Sequence, residues 1–384
     1  MNNKSLRLGV VTAVLLIASA NSASAAYLYT ALEPLRSGDI TIAYGINNTG
    51  QIVGVSTRGG ALLWDNGSTT VIHPSATATA INDSGKIAGF LDVGRYPSVW
   101  DGDSEITLDS RYGVENRPFG INAAGQIVGE AYTPVNTSRA ILWEGAVTTP
   151  LDSLGGNRSG AFAINAAGQI VGYSSTSEGR IHATLWNGTT PTDLGHLGGG
   201  TSYAMDINNH GVIVGDSYLP DNSFVHATLW DGATMIDLGT PNGTVRSFAL
   251  AINNSDQVVG YSDFRDGSGR SVATLWNGTT AIDLNDFLDD SIKSTGLVLA
   301  RAVAINDRGW IVGWADRLVM VEGQEFLLGS QSFLLTPIPE PSTYPTELEG
   351  LIPEPSTYAL LLAGLTPLGF MVRGRNRLSF QLRH

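Results

Sequence analysis

The chain has 384 residues, no cysteine, 46 glycines and 15% charged residues, with a formal charge of −13. The missing thiols exclude a disulfide framework, thiolate catalysis and cysteine-ligated metals, and the acidic balance argues against nucleic acid or an anionic membrane surface as a partner. Many glycines with few charges suit short strands joined by tight turns rather than long solvated helices.

Residues 1–25 carry a basic start (Lys4, Arg7), an apolar run from Leu8 to Ala20 and the small-residue ending Ala23-Ser24-Ala25. These are the three parts of a secretory signal peptide, with cleavage expected after Ala25.

From residue 26 to 336 the sequence repeats. An Ile-Asn pair begins at Ile46, Ile81, Ile121, Ile164, Ile207, Ile252 and Ile305, a mean period of about 43 residues, which is the length of a four-stranded propeller blade. The fullest copy runs from Ala163 to Gly195. Its first strand ends at Ile164, and Asn165-Ala166-Ala167-Gly168 has the residue preferences of a type I turn closed by a left-handed residue. Gly stands at that fourth position in six copies and Asp256 in the other, where the left-handed conformation costs a side chain about 1 kcal/mol, so that blade is expected to be slightly weaker.

The second strand, Gln169 to Gly172, places adjacent apolar residues on opposite faces, which requires cover on both sides. Stacked blades supply that cover. A Gly closes the segment in every copy (Gly54, Gly89, Gly129, Gly172, Gly215, Gly260, Gly313), which predicts a close backbone approach near a crowded axis. The third strand ends at Trp64, Trp100, Trp143, Trp186, Trp230 and Trp276, each followed by Asn-Gly, Asp-Gly, Glu-Gly or Asp-Asn-Gly, a hairpin signal that returns a fourth strand at once. The tryptophans are expected between blades rather than as a sugar-stacking platform.

The last copy has a third strand, Ser332 to Thr336, but no fourth, while Tyr27 to Leu32 is a strand without partners of its own. Pairing the two ends closes the ring and leaves no exposed edge. The expected fold is therefore all-β: a seven-bladed propeller whose final blade is completed by the N-terminal strand.

Residues 337–357 form a Pro-rich linker in which Ile-Pro-Glu-Pro-Ser-Thr-Tyr occurs twice, at 338–344 and 352–358. Residues 358–384 hold an apolar segment and then Arg373, Arg375 and Arg377, a positive-inside stop. Loss of both terminal segments removes six cations (Lys4, Arg7, Arg373, Arg375, Arg377, Arg383) and no acid, so −13 becomes −19 for the body.

Pro353-Glu354-Pro355-Ser356-Thr357-Tyr358, the apolar segment and the arginines together resemble the PEP-CTERM sorting signal of Gram-negative bacteria. The resemblance covers residues 352–384 and implies an exosortase as partner, a membrane-embedded cysteine transpeptidase that cuts near the motif after export, with transient anchoring through the C-terminal helix. The copy at 338–344 is not next to the apolar segment, and the tail Leu378 to His384 runs on where such signals stop. The body resembles the HAF family of extracellular repeats through Ala-Ile-Asn-x-x-Gly-Gln-Ile-Val-Gly-Tyr, His182-Ala183-Thr184-Leu185-Trp186 and Thr-Asp-Leu-Gly-His-Leu-Gly-Gly at 192–199, which implies a surface location and a repeat architecture but no reaction. Trp-Asp pairs at 64, 100 and 230 lack the Gly-His element of WD repeats.

No metal-ligating histidine spacing, nucleophile elbow or phosphate loop is present. His182 and His226 share a repeat position that elsewhere holds Gly60, Tyr96, Arg139 or Val272, the mark of a packing slot. Two acidic loops, Asp263 with Asp266 and Ser268, and Asp286 with Asp289 and Asp290, offer oxygen ligands for calcium without its loop pattern; solvated loops are the simpler reading, and no cofactor is expected. Binding is expected on the face of the variable connections, which carries Tyr173, Tyr218, Tyr261, Phe264 and Trp314. The function read from the sequence is an exported, surface-sorted, non-enzymatic protein that binds extracellular polysaccharide or another envelope or biofilm component. The alternative is a polysaccharide lyase or glycosidase that draws acids from several blades.

Overall fold

In each repeat copy the strand that enters the Ile-Asn pair stops at that isoleucine, and the chain reverses through the Asn-x-x-Gly turn. The computed structural model describes residues 27–338, apart from 37, 136, 223, 266–268 and 322–323. The expected signal peptide, most of the expected linker with both Pro-Glu-Pro copies, and the C-terminal apolar segment with its arginines lie outside the described residues. The turn glycines take φ between +72° and +96°, and Asp256 takes +58° in the Ile252 copy, so the left-handed position holds even where glycine is replaced.

The Ile164 copy shows the pattern of all. Gly155–Ile164, Gln169–Thr176, Ile181–Asn187 and Thr190–Asp193 pair antiparallel in chain order. Sheets that begin at Thr41, Ala76, Glu115, Ser202 and Thr244 repeat that order, and one parallel pairing, Ser138 with Arg158, joins the Ile121 and Ile164 ladders into an eight-stranded sheet. Helix among the described residues is confined to 3-10 turns at Pro220–Asn222 and Leu284–Phe287 and one α-turn at Asp290–Lys293. No described helix is long and apolar enough to cross a membrane.

The two ends of the body meet as the sequence predicts. Leu297–Ile305, Ile311–Val321 and Gln324–Pro337 supply three strands, and Tyr27–Ala31 adds the fourth, in register from Tyr27 opposite Pro337 to Ala31 opposite Phe333. Leu335 stands opposite Ile311 as Trp186 stands opposite Ile170. The Ser332 hydroxyl accepts from the Ala43 N–H (2.9 Å) and donates to the Thr41 carbonyl (2.9 Å), which ties this sheet to the first copy.

Successive sheets pack face to face. Trp186, 0% exposed, sits with Val128, Ala140, Leu142 and Leu151 of the preceding copy, and Trp143, Trp230 and Trp276 do the same in theirs. The tryptophans are core, as expected. Sheets stacked in this way about a common axis, with the last packed on the first, form a β-propeller.

Three details differ from the expectation. The closing glycines are crowded by their own first strand: a Cβ at Gly172 would overlap the Gly160 carbonyl, and one at Gly260 the Phe248 carbonyl. The cause is a bulge in each first strand, as between Ala161 and Ala163, which pushes the backbone toward the second strand. The hairpins also differ. Asn187 is the last paired residue of its strand, opposite Thr190, and the two-residue loop is Gly188-Thr189, with positive φ only at the glycine (+63°), as a II′ turn requires. Among the hairpins that follow the third strands, only Asn66-Gly67 has positive φ at both loop residues (+47° and +77°), the I′ form. Finally, the second strand of the Ile164 copy continues to Thr176, so Tyr173 is strand and not loop.

Candidate functional site at the propeller axis

On the tight-turn face the asparagine of every copy does more than turn the chain. The Asn165 Oδ1 accepts from the N–H groups of Ala167 (3.1 Å) and Gln169 (3.0 Å), while its Nδ2 donates to the Asn208 carbonyl of the next copy (3.1 Å). The same inter-copy bond runs from Asn47 to Asn82, then to Asn122, Asn165, Asn208, Asn253 and Asn306, and returns from Asn306 to the Asn47 carbonyl at 2.9 Å. The result is a closed ring of side-chain amides around a polar mouth of about 210 Å³. Asp256 takes part: its Oδ1 accepts from Asn208 Nδ2 at 2.7 Å, a role filled elsewhere by a glutamine four residues after the asparagine, such as Gln169.

Beneath this mouth the bulged residues of the first strands, among them Tyr44, Phe119, Phe162 and Val303, line an axial cavity of about 260 Å³. The residue before each repeat isoleucine is Gly or Ala except at Asp206. Asp206 accepts from the Ile207 N–H (2.8 Å) and from the Ile252 N–H of the next copy (2.9 Å). Burial pushes its carboxyl up to about 6 against those two hydrogen bonds.

Toward the variable connections, the position after each closing glycine builds a belt. It holds Val55, Phe90, Glu130, Tyr173, Asp216, Tyr261 and Trp314 in successive copies. Tyr173 is 7% exposed. Its hydroxyl donates to Glu130 Oε1 (2.6 Å) and lies 3.1 Å from Ser138 Oγ, while Tyr132 donates to Glu130 Oε2 (2.9 Å). Burial and the Glu130 carboxylate raise the Tyr173 phenol far above its ordinary value. The expectation of Tyr173 as a free ligand-facing side chain is therefore corrected: it is a buried clamp between copies. Its ring packs edge-on to Tyr203 at 5.6 Å.

Tyr261 and Trp314 are brought together, half-buried. Phe248 stacks on Tyr261 (4.6 Å, 15°), and the Arg301 guanidinium lies over Tyr261 at 4.1 Å and over Trp314 at 5.3 Å. Tyr218 is half-buried and acts electrostatically on Tyr203. Phe264 sits farther out under the Arg270 guanidinium at 5.1 Å. Asp216, 8% exposed, lies close enough to Tyr203 and Tyr261 to raise both phenols, and no described residue hydrogen-bonds its carboxylate. Burial alone pushes it up to about 7. The sequence reading missed Glu130, Asp206, Asp216 and Arg301; the signal was present, since three of them are acids in repeat positions otherwise filled by small, apolar or aromatic residues.

The remaining candidates have structural partners. His182 Nδ1 pairs with Asp193 Oδ2 (2.7 Å) and His226 Nδ1 with Asp237 (2.9 Å), each joining a third strand to its fourth. Burial raises Asp237, but the His226 bond and the Gly239 N–H outweigh it and hold the carboxyl below its ordinary value. Asp263 accepts from Ser271 (2.8 Å) and faces Arg246 (3.6 Å), while Asp266 and Ser268 lie outside the described residues. Asp289 caps the turn at Asp290 by accepting from the Ser291 N–H (2.7 Å), and Asp286 lies in the first turn of its own short helix. Among the described residues no three acids or histidines converge to hold a metal ion.

No protein-family model and no curated protein matches the chain. Among solved structures it is similar to the β-propeller domain of the Trilobed protease from Pyrococcus furiosus, at 10% identity over 75% of this chain and 98% of that one, with a TM-score of 0.48. It is also similar to a catalytically inactive virginiamycin B lyase from Staphylococcus aureus solved with quinupristin (14% identity, 81% and 100% coverage, TM-score 0.44). A third is TolB from Acinetobacter baumannii (13% identity, TM-score 0.43), of which the match spans 63%, less than two thirds of that protein's length.

Proposed function

We propose that this chain is an exported, surface-sorted β-propeller of seven blades that binds extracellular polysaccharide on the variable-connection side of its axis without transforming it. The blade count rests on reading the eight-stranded sheet as two ladders joined at one residue pair. Export and sorting rest on the signal-like N-terminus and on Pro353, Glu354, Pro355 and the arginines that follow; an exosortase-type transpeptidase is the implied partner, with membrane anchoring transient.

The observation that carries the binding reading is the belt, in which half-buried Trp314, its ring stacked with Arg301 and backed through it by Tyr261, offers planar apolar surface beside the buried carboxyl of Asp216. Sugar rings need that combination: a flat apolar face for stacking and polar groups at fixed positions for the hydroxyls. A glycan array tests it. Binding should appear with the purified protein and fall at least tenfold in Tyr261→Ala and Trp314→Ala; undiminished binding in both variants overturns the assignment to the belt.

Asp216 gives the lyase or glycosidase reading a specific foothold, because a carboxyl at about 7 with no hydrogen-bond partner among the described residues could serve as a proton donor near neutral pH. Incubation of polysaccharide with the protein separates the two readings. New reducing ends or unsaturated products that vanish in Asp216→Asn would establish catalysis and remove the binding-only function.

A further inference from the structure

Arg301 is a cation with no counter-ion among the described residues of a strongly acidic chain. Its strand runs from Leu297 to Ile305, and it pairs with Trp314 across the ladder. The guanidinium lies over Tyr261 of the preceding copy and over Trp314 of its own, so four planar groups (Phe248, Tyr261, Arg301, Trp314) follow one another across the junction of the last two copies. Stacking fixes the plane of the fork and removes most of the rotamer entropy that a free arginine would lose on binding.

Its donors are unclaimed among the described residues. No described carboxylate lies within ion-pair distance of Arg301, and no described acceptor takes a hydrogen bond from its side chain. The acids nearby are otherwise placed: Asp263 faces Arg246 and accepts from Ser271, and Asp216 is influenced by burial with no cation to lower it. A half-buried arginine clamped by two rings, with its N–H groups unmatched among the described residues, is organised for an acceptor from outside.

We infer that Arg301 recognises the carboxylate of a uronate unit, making the ligand of the belt an acidic polysaccharide. This deepens the glycan-binding reading and rests on it. The planar carboxylate matches the fork bidentately, while Trp314 holds the sugar that carries it and Tyr261 keeps the guanidinium in plane. The negative body repels a long polyanion at low ionic strength, so the contact is read best with short oligomers at physiological salt, where charges farther away than about 8 Å are screened.

The test is titration of the purified protein with a uronate oligosaccharide, its methyl ester, and a sulfated neutral oligosaccharide of equal length. The free acid should bind at least tenfold more tightly than the ester, because a charge-assisted bidentate contact is lost on esterification. Arg301→Gln should erase that preference while ester binding persists, and Arg301→Lys should keep part of it; melting curves of both variants confirm the fold. Equal affinity for acid and ester, an acid preference that survives Arg301→Gln, or stronger binding of the sulfated oligomer overturns the uronate assignment while leaving glycan binding intact. Binding of none of the three overturns the glycan reading together with it.

Discussion

At the scale of single residues, the repeat consensus mixes side chains that serve the fold with a few positions where one copy departs from its siblings. Asn165 belongs to the first kind: it makes two local bonds, one bond to Gln169 and one to the next copy. Asn165→Ala would leave buried N–H and C=O groups unmatched, so a loss of about 3 kcal/mol is expected in denaturant unfolding. Asp256 shows how a departure can be compensated. Asp256→Gly relieves left-handed strain but removes the acceptor for Asn208, and the two terms, each about 1 kcal/mol, nearly cancel; a change beyond about 1 kcal/mol in either direction would contradict that balance. Asp216 is a departure without compensation. Its folded-state pKa of about 7 lies above the unfolded value, so the native state binds the extra proton and stability declines as pH rises from about 4 to 7. Asp216→Asn should flatten that slope and raise stability at pH 7.5, by on the order of 3 kcal/mol; parallel melting curves for the two proteins across this range would refute it.

Elements are built from the bulge and the closing glycine acting together. The bulge turns one residue of each first strand into the axial wall, and the displaced backbone leaves no room for a side chain at positions such as Gly172 and Gly260. Gly172→Ala should therefore destabilise by several kcal/mol despite adding a single methyl group, since the clash is with main chain that cannot rotate away. Trp186→Ala is expected to cost about 3–5 kcal/mol through the cavity left between sheets. The sequence carried the glycine signal without its cause: seven glycines at fixed spacing announce a close approach, but a bulge leaves no residue signature of its own, because Tyr44, Thr79, Phe119 and Phe162 share only a position.

For the whole molecule, closure is the stabilising device. The N-terminal strand, the Ser332 bonds and the ring of asparagine amides all join the last copy to the first. Deletion of residues 27–31 should lower the melting temperature substantially, because Gln324–Pro337 would become an open edge; an unchanged melting temperature would show that the asparagine ring suffices. Strand order, turn positions, the tryptophan core and the shared final sheet were legible in the sequence, since each is a local preference repeated at a fixed period. The belt was legible only in part. Tyr261 and Trp314 were found from their place after the closing glycine, but Tyr173 in the same place proved buried, because its fate depends on Glu130 and Ser138 in the preceding copy.

What the sequence determined by itself was the repeat and everything within one repeat length: strands, turns, and the apolar residues that must be covered on both faces. The tertiary structure alone decided which copies meet at the axis. It left Asp216 without a hydrogen bond to any described residue, set Arg301 between Tyr261 and Trp314, and closed the asparagines into a ring, because these contacts join residues whose separation is set by how sheets stack around an axis, and no local preference encodes that.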